Sequence, residues 1–375
     1  MTDHENQELT LDRVRAAEER LAGIAHRTPV LTSAALDAEV DGSVLLKAEM
    51  FQRGGSFKFR GAYSRMALLD LPERDRGVVA YSSGNHGGAV ALAARLMGIP
   101  AVVVVPATGS AAKLAAIAGY GAELHTYDPA AERREEVAAA IAAERKLTII
   151  RPFDDYDIMA GQGTVGLELL GQLGDRLSRV IVPVGGGGLA SGVAIALKSQ
   201  RPEIEVIGVQ AEASAAFPAS LARDEPVEVI PSRTIADGIA VKRPAELTLR
   251  LIRDWVDELA VVSEEAIAEA MIFLMERAKL VVEGAGAVGV AGLLGGGVSC
   301  AEHGVTAVIL SGGNVDAGLL AQLARRHESE AGRRLVLLTR LPDSPGSLAR
   351  LLSLLGASGA NLLDVQHVRE GIELY

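Results

Sequence analysis

Cysteine, aromatic residues and positive charge are all scarce in this chain, and each shortage narrows what it can be. A single cysteine, Cys300, rules out an internal disulfide and a cysteine metal cluster. The start is polar (Met1, Thr2, Asp3, His4, Glu5, Asn6) with no apolar leader segment behind it, so a reducing, cytoplasmic setting is expected. No apolar run reaches membrane-spanning length without a charge or a glycine break; the strongest cover residues 101–105 and 180–189. Lys and Arg number 37 against 48 Asp and Glu, a net charge of −11. That balance excludes a surface built mainly for nucleic acid or anionic membrane, although a glycine loop can still hold a small anion. Aromatics are only 3% of the residues, so any cluster of them is informative.

What is present is apolar mass and glycine. With 375 residues, 49% of them apolar, the chain exceeds one small core and predicts two or three domains. The dominant pattern is a short β-branched run, a glycine-bearing loop, then an Ala- and Leu-rich helix. Residues 78–85 feed a helix over 87–97; 101–105 lead to 110–120; 122–127 to 130–145; 180–184 to 190–198. Residues 206–210 and 306–310 repeat the strand part. Continuous apolar strands alternating with helices read as an α/β fold, with parallel sheets covered by helices on both faces. Ligands in such folds sit at the carboxyl ends of the strands, where the glycines fall.

The expected divisions are an N-terminal segment over 1–53 packing on the larger lobe, a small α/β lobe over 54–155, a large lobe over 156–326, and a third unit over 335–375. Pro152 and the acidic stretch 154–157 mark the crossing between lobes, and residues 325–334 read as a polar linker. The third unit reads strand (335–339), helix (348–355) and strand (361–368), with Asp343 or Ser344 capping the helix and Pro345 in its first turn.

Four stretches carry chemistry. Residues 54–62 read Gly-Gly-Ser-Phe-Lys-Phe-Arg-Gly-Ala. A lysine near a helix start is ordinarily a solvated surface group. Here Phe57 and Phe59 flank Lys58, and a dry cavity favours the neutral amine that a Schiff base requires. Gly185, Gly186, Gly187 and Gly188 follow an apolar strand; a turn needs fewer glycines, and their N–H groups with the next helix start make an anion site. Gly185, Gly187 and Ala190 also fit a dinucleotide fingerprint with Glu212 as ribose acceptor, but Gly284, Gly286 and Gly289 match it too, so that signal is weak. Ser82, Ser83, Gly84, Asn85 and His86 lie at another strand end. They read either as a helix cap, with Ser83 or Asn85 at the N-cap, or as a grip for a carboxylate or a cofactor ring oxygen. Ser311 ends the strand over 306–310. A serine hydroxyl can donate to a pyridine nitrogen without protonating it, which favours β-elimination over transamination.

Together these motifs resemble the fold-type-II pyridoxal phosphate (PLP) enzymes, a tryptophan synthase beta-like two-lobed fold, and within them the threonine and serine ammonia-lyase (threonine dehydratase) family. The resemblance spans about residues 11–326. It implies that Lys58 forms the Schiff base with the cofactor, that Gly185, Gly186, Gly187 and Gly188 bind its phosphate, that Asn85 contacts the ring hydroxyl, that Phe57 packs near the ring and that Ser311 meets the ring nitrogen. Ser82, Ser83, Asn85 and His86 would cradle the substrate carboxylate. The implied reaction removes ammonia from L-threonine to give 2-oxobutanoate, the entry to isoleucine synthesis. A serine dehydratase or racemase is the alternative, because some relatives racemise serine with a serine at the position of Ser83. Those relatives also hold a cation; Glu212 and Ala216 match two of its ligand positions, but Pro218 stands at the third and cannot ligate. The tail is similar to the first half of an ACT regulatory domain, with Asp343, Pro345, Gly346 and Asn361 at its ligand-loop positions. It stops at Tyr375, so either the sequence is truncated or the half-module pairs with a neighbour, and control by an amino-acid effector is expected to be impaired. A homodimer or homotetramer is expected, helped by apolar helices such as residues 266–274. Two other classes remain open from the residues: a nicotinamide dehydrogenase, which gives Lys58 and Ser311 no role, and a non-catalytic amino-acid sensor.

Overall fold

Among the described residues, ten strands form two sheets: β1 (Val30–Thr32), β2 (Val44–Ala48), β3 (Val78–Tyr81), β4 (Ala101–Pro106), β5 (Glu123–Tyr127), β6 (Thr148–Ile149), β7 (Leu177–Pro183), β8 (Glu205–Ala211), β9 (Glu258–Val262) and β10 (Val305–Leu310). This computed structural model describes residues 8–230 and 232–368. It divides into two compact units, Met1–Ala324 and Arg325–Tyr375.

In the first unit, β3 to β6 make a four-stranded parallel sheet in the order β5-β4-β3-β6. The other six make a second sheet in the order β1-β2-β10-β7-β8-β9, parallel except for β1 against β2. β-branched runs build the buried centres: Val102, Val103, Val104 and Val105 in β4, and Val305 through Leu310 in β10, are all buried. Such two-sided burial needs helices on both faces. The helix Gly284–Leu294 is apolar nearly all round and lies inside the larger core. β1 and β2 show how the N-terminal residues take part: they extend the six-stranded sheet beside β10.

Close helix crossings fix the lysine's position. The helix Lys58–Met66 lies against Tyr156–Leu173, which in turn lies against Gly188–Lys198. A Cβ on Gly161 would come within 2.6 Å of the Gly61 Cα, and one on Gly61 within 2.7 Å of the Ile158 carbonyl. The Gly61 N–H donates to Gln162 Oε1 at 3.1 Å.

The sequence placed six of the strands within a few residues but missed β1, β2, β6 and β9, and it left several helices unplaced, among them Tyr156–Leu173 and Gly284–Leu294. The first part of the segment expected as a polar linker, residues 325–330, is helical instead, as the end of Ala317–Glu330, while 331–334 are not helical; an Arg326–Glu330 pair four residues apart supports the helix.

The second unit departs from the expected strand–helix–strand. Its helix is present as Ser347–Ala357, capped by Gly346 at φ +86 rather than by Asp343 or Ser344. Neither flank is a strand among the described residues. Leu335, Val336, Leu337 and Leu338 are 54–83% exposed and Leu363 is 77% exposed. β propensity alone does not make a strand; a ladder partner does, and these flanks do not pair. Residues 369–375 of the expected unit lie outside the described residues.

Candidate active site

One cavity in the first unit gathers residues from distant parts of the chain. Phe57, Lys58, Asn85, Gly185, Gly186, Gly187, Gly188 and Ser311 line it, joined by Phe153, Gly238, Ile239 and Glu283. The empty space within it, counting the open mouth, is about 440 Å³.

Lys58 is the first residue of its helix. Its Nζ donates to the Pro152 carbonyl at 2.8 Å and lies 5.2 Å from the centre of the Phe57 ring. Burial lowers the Lys58 pKa to about 8, against the opposing pull of Glu283. At pH 7 roughly a tenth of the amine is therefore neutral, far more than at the ordinary lysine value.

The four glycines connect β7 to the helix Gly188–Lys198, with Gly187 at φ +89 forming its N-cap. The backbone turn at Gly187 lies in the left-handed region that other residues avoid. Phe153 lies across the loop, so a Cβ on Gly186 would collide with its ring and one on Gly188 would sit 3.0 Å from its Cβ. Bare backbone and a helix N-terminus make this end of the cavity fit an anion.

Ser311, at the end of β10, is buried, and its carbonyl accepts from the Phe57 N–H at 3.1 Å. That bond and a Ser56–Gly312 bridge join the lysine loop to the serine loop. Asn85 begins the helix Asn85–Met97, whose N-cap is Gly84 rather than Ser83 or Asn85. The Asn85 Nδ2 donates to Glu283 Oε1 at 2.6 Å. Burial, with Asp237 nearby, raises the Glu283 pKa to about 7, although the Asn85 bond acts the other way.

The structure does not bring every expected residue to the cavity. Ser82 and Ser83 are half-buried at the end of β3, and Ser82 Oγ accepts from the Gly84 N–H. His86 is buried, its Nε2 is 2.9 Å from the Ile150 carbonyl and its Nδ1 has no hydrogen-bond partner. Burial, with Lys58 close by, lowers its pKa to about 3, so it stays neutral. Glu212 is exposed after β8, away from the cavity, which leaves the dinucleotide reading without its ribose acceptor. Ala216 is buried and Pro218 lies in the first turn of Phe217–Arg223. Among the described residues no three His, Cys, Asp or Glu side chains group as metal ligands, and no helix is long and apolar enough to cross a membrane.

Sequence reasoning missed Glu283, Phe153 and the Pro152 carbonyl. Glu283 carried a signal: it is the sole charged residue between Lys279 and Glu302. An acid left in so apolar a stretch has a reason to be buried.

Beneath the cavity lies a second set of charges. Arg60 donates to both oxygens of Glu49 at 2.7 and 2.8 Å and to Glu168 at 2.7 Å. Lys47 donates to Glu168 at 2.6 Å, to Gln172 and to the Thr28 carbonyl. Arg60, Lys47 and Glu49 are almost wholly buried. Burial alone would raise the Glu49 pKa, but Arg60 outweighs it and holds the carboxyl below its ordinary value.

An amine, a bare glycine loop, a hydroxyl and an amide lining one cavity define a site for an aldehyde phosphate cofactor on a two-sheet α/β frame. The chain belongs to the pyridoxal-phosphate dependent enzyme family, whose model matches residues 21–312. It is 42% identical over 366 residues to an L-threonine ammonia-lyase of Thermotoga maritima, covering 98% of this chain and 90% of that protein. It is 41% identical over 307 residues to an L-threo-3-hydroxyaspartate ammonia-lyase of Saccharomyces cerevisiae, covering 82% and 94%. Among solved structures, a threonine deaminase from T.th. is similar with a TM-score of 0.76 and 43% identity, covering 82% of this chain and 99% of that one. Maize serine racemase is similar with a TM-score of 0.80 and 38% identity, covering 87% and 100%.

Proposed function

We propose that the chain is a PLP-dependent L-threonine ammonia-lyase, converting L-threonine to 2-oxobutanoate and ammonia. The observation that carries this reading is the meeting, in one cavity, of a lysine amine lowered to about 8 with the bare glycine loop and Ser311. The relatives named as threonine ammonia-lyases support the choice of substrate.

In this reading the small lobe over 54–155 supplies Lys58 and Asn85, and the large lobe over 156–326 supplies the glycine loop and Ser311. Gly185, Gly186, Gly187 and Gly188 hold the cofactor phosphate through backbone N–H groups. Phe57 packs on the ring, Asn85 donates to its hydroxyl oxygen and Ser311 meets its nitrogen. When bound, PLP supplies a sink for the charge that develops at the substrate α-carbon. Lys58 Nζ, neutral near its pKa of about 8, takes the α-proton. The Pro152 carbonyl, 2.8 Å away, holds the resulting ammonium in place. A neutral hydroxyl from Ser311 would leave the ring nitrogen unprotonated, and the Lys58 ammonium would carry the proton that the β-hydroxyl needs to leave as water. Water is taken up again when the enamine product hydrolyses, so the net products are the 2-oxo acid and ammonia.

The substrate carboxylate is assigned to Ser82, Ser83 and Asn85 at the end of β3. His86 is left out of that set because its ring faces the Ile150 carbonyl and its other nitrogen is buried.

The test is the visible absorbance of purified protein with PLP, before and after L-threonine, beside Lys58→Ala. A yellow band that shifts with threonine while 2-oxobutanoate accumulates supports the reading. A protein that PLP cannot colour would sink it.

A further inference from the structure

We propose that Asn314, which is not part of the cavity wall, is a positioning residue that sets which way the Asn85 amide faces. Its two amide N–H groups have fixed destinations: Nδ2 donates to the Gly54 carbonyl at 2.8 Å and to Asn85 Oδ1 at 2.8 Å. Turned over, the Asn314 amide would set an oxygen against two other oxygens. Its orientation is therefore determined, and it determines the next one. With Oδ1 of Asn85 accepting from Asn314, the Asn85 Nδ2 faces Glu283 Oε1 at 2.6 Å. One Asn85 N–H is used there and the other remains for a ligand in the cavity that Asn85 lines. If Asn85 were reversed, it would offer that ligand a lone pair instead of a proton.

The loops are built to hold Asn314 in place. Gly313 N–H donates to the Gly55 carbonyl at 3.0 Å, and Gly312 bridges Ser56. Gly55 adopts φ +77, and a Cβ on it would collide with Asn314 Oδ1. The residue that positions Asn85 thus sits on the same loop as Ser311 and is clipped to the loop that carries Lys58. Asn314 itself is exposed, so its role does not come from filling the core.

The inference rests on the cofactor reading, in which Asn85 donates to the ring hydroxyl oxygen. A donor to that oxygen strengthens cofactor binding by favouring its anionic form. The measurement is the PLP dissociation constant, by equilibrium dialysis of the full chain, for wild type, Asn314→Asp, Asn85→Ala and the double variant. Asn314→Ala is the second single variant, removing the donors without adding charge. Asn314→Asp should weaken PLP binding about tenfold, Asn314→Ala should weaken it less, and neither should move the melting temperature of the cofactor-free protein. In the Asn85→Ala background the Asn314→Asp change should have almost no further effect, because the residue it acts through is gone. Wild-type affinity in both Asn314 variants would overturn the proposal, as would a loss that persists undiminished in the Asn85→Ala background. Wild-type protein that takes up no PLP would overturn instead the cofactor reading beneath it.

Discussion

Lys58 and Arg60 stand two residues apart on one helix, and the fold treats them in opposite ways. Arg60 is buried with its guanidinium answered by Glu49, Glu168 and Thr164. Its pKa is raised, since the carboxylates more than offset the burial. Lys58 has one carbonyl and a distant carboxyl, and burial prevails. The difference separates charge used for support from charge used for chemistry. A compensated cation is inert because every partner favours its proton; an undercompensated one is ready to give the proton up.

Breaking each half should give opposite signatures. Lys58→Ala should lower turnover by more than about 10³-fold, since it removes the proton acceptor, while cofactor-free protein melts no earlier than wild type. Activity assays beside thermal melts check both arms, and an early melt would erase the contrast. Arg60→Met should instead cost about 3–5 kcal/mol of stability, because Glu49 and Glu168 lose their shared partner in the interior; urea unfolding measures it. Replacing Glu283 sharpens the comparison on the acidic side. Its carboxyl holds a proton more tightly folded than unfolded, so its contribution is present below pH 4.5 and is lost as pH rises to about 7. Glu283→Gln should therefore flatten that slope, which is worth up to about 3 kcal/mol, in pH-dependent unfolding of cofactor-free protein. An effect of similar size concerns Lys58 with no mutation at all. Its folded pKa lies below the ordinary 10.5, so cofactor-free protein should gain stability between about pH 8 and 10.5. The rate of PLP uptake should rise with pH and level off above about 8; a flat profile would mean the amine is not the limiting group.

The half of this contrast that was legible in the sequence is the reactive half. Asn85, the four glycines and Ser311 follow strand ends, where a parallel sheet places ligands, and Lys58 begins a helix just after Gly54 and Gly55. The supporting half was hidden. Lys47 lies within the strand β2 and Glu49 directly after it, where nothing local says that each has a partner far along the chain. Glu283's isolation in an apolar stretch hints at burial, but its pairing with Asn85 spans 198 positions. The Pro152 carbonyl could not be read at all, since backbone atoms carry no letter. The tail erred in the other direction: apolar residues at 335–338 and at 362, 363 and 365 satisfy a strand's composition, but register and partner are properties of the fold.

The crossing of Gly61 and Gly161 has a further consequence. The two residues touch nothing that reacts, yet no side chain of any kind fits where they meet. In a scan of all single substitutions, both should be nearly as intolerant as Lys58, with the loss appearing as a displaced amine rather than a missing one. An added methyl group at the crossing would push apart the helix that aims the lysine and the helix against which it is aimed. The precision of the chemistry is therefore set partly by two positions that contribute no chemical group, only the absence of one.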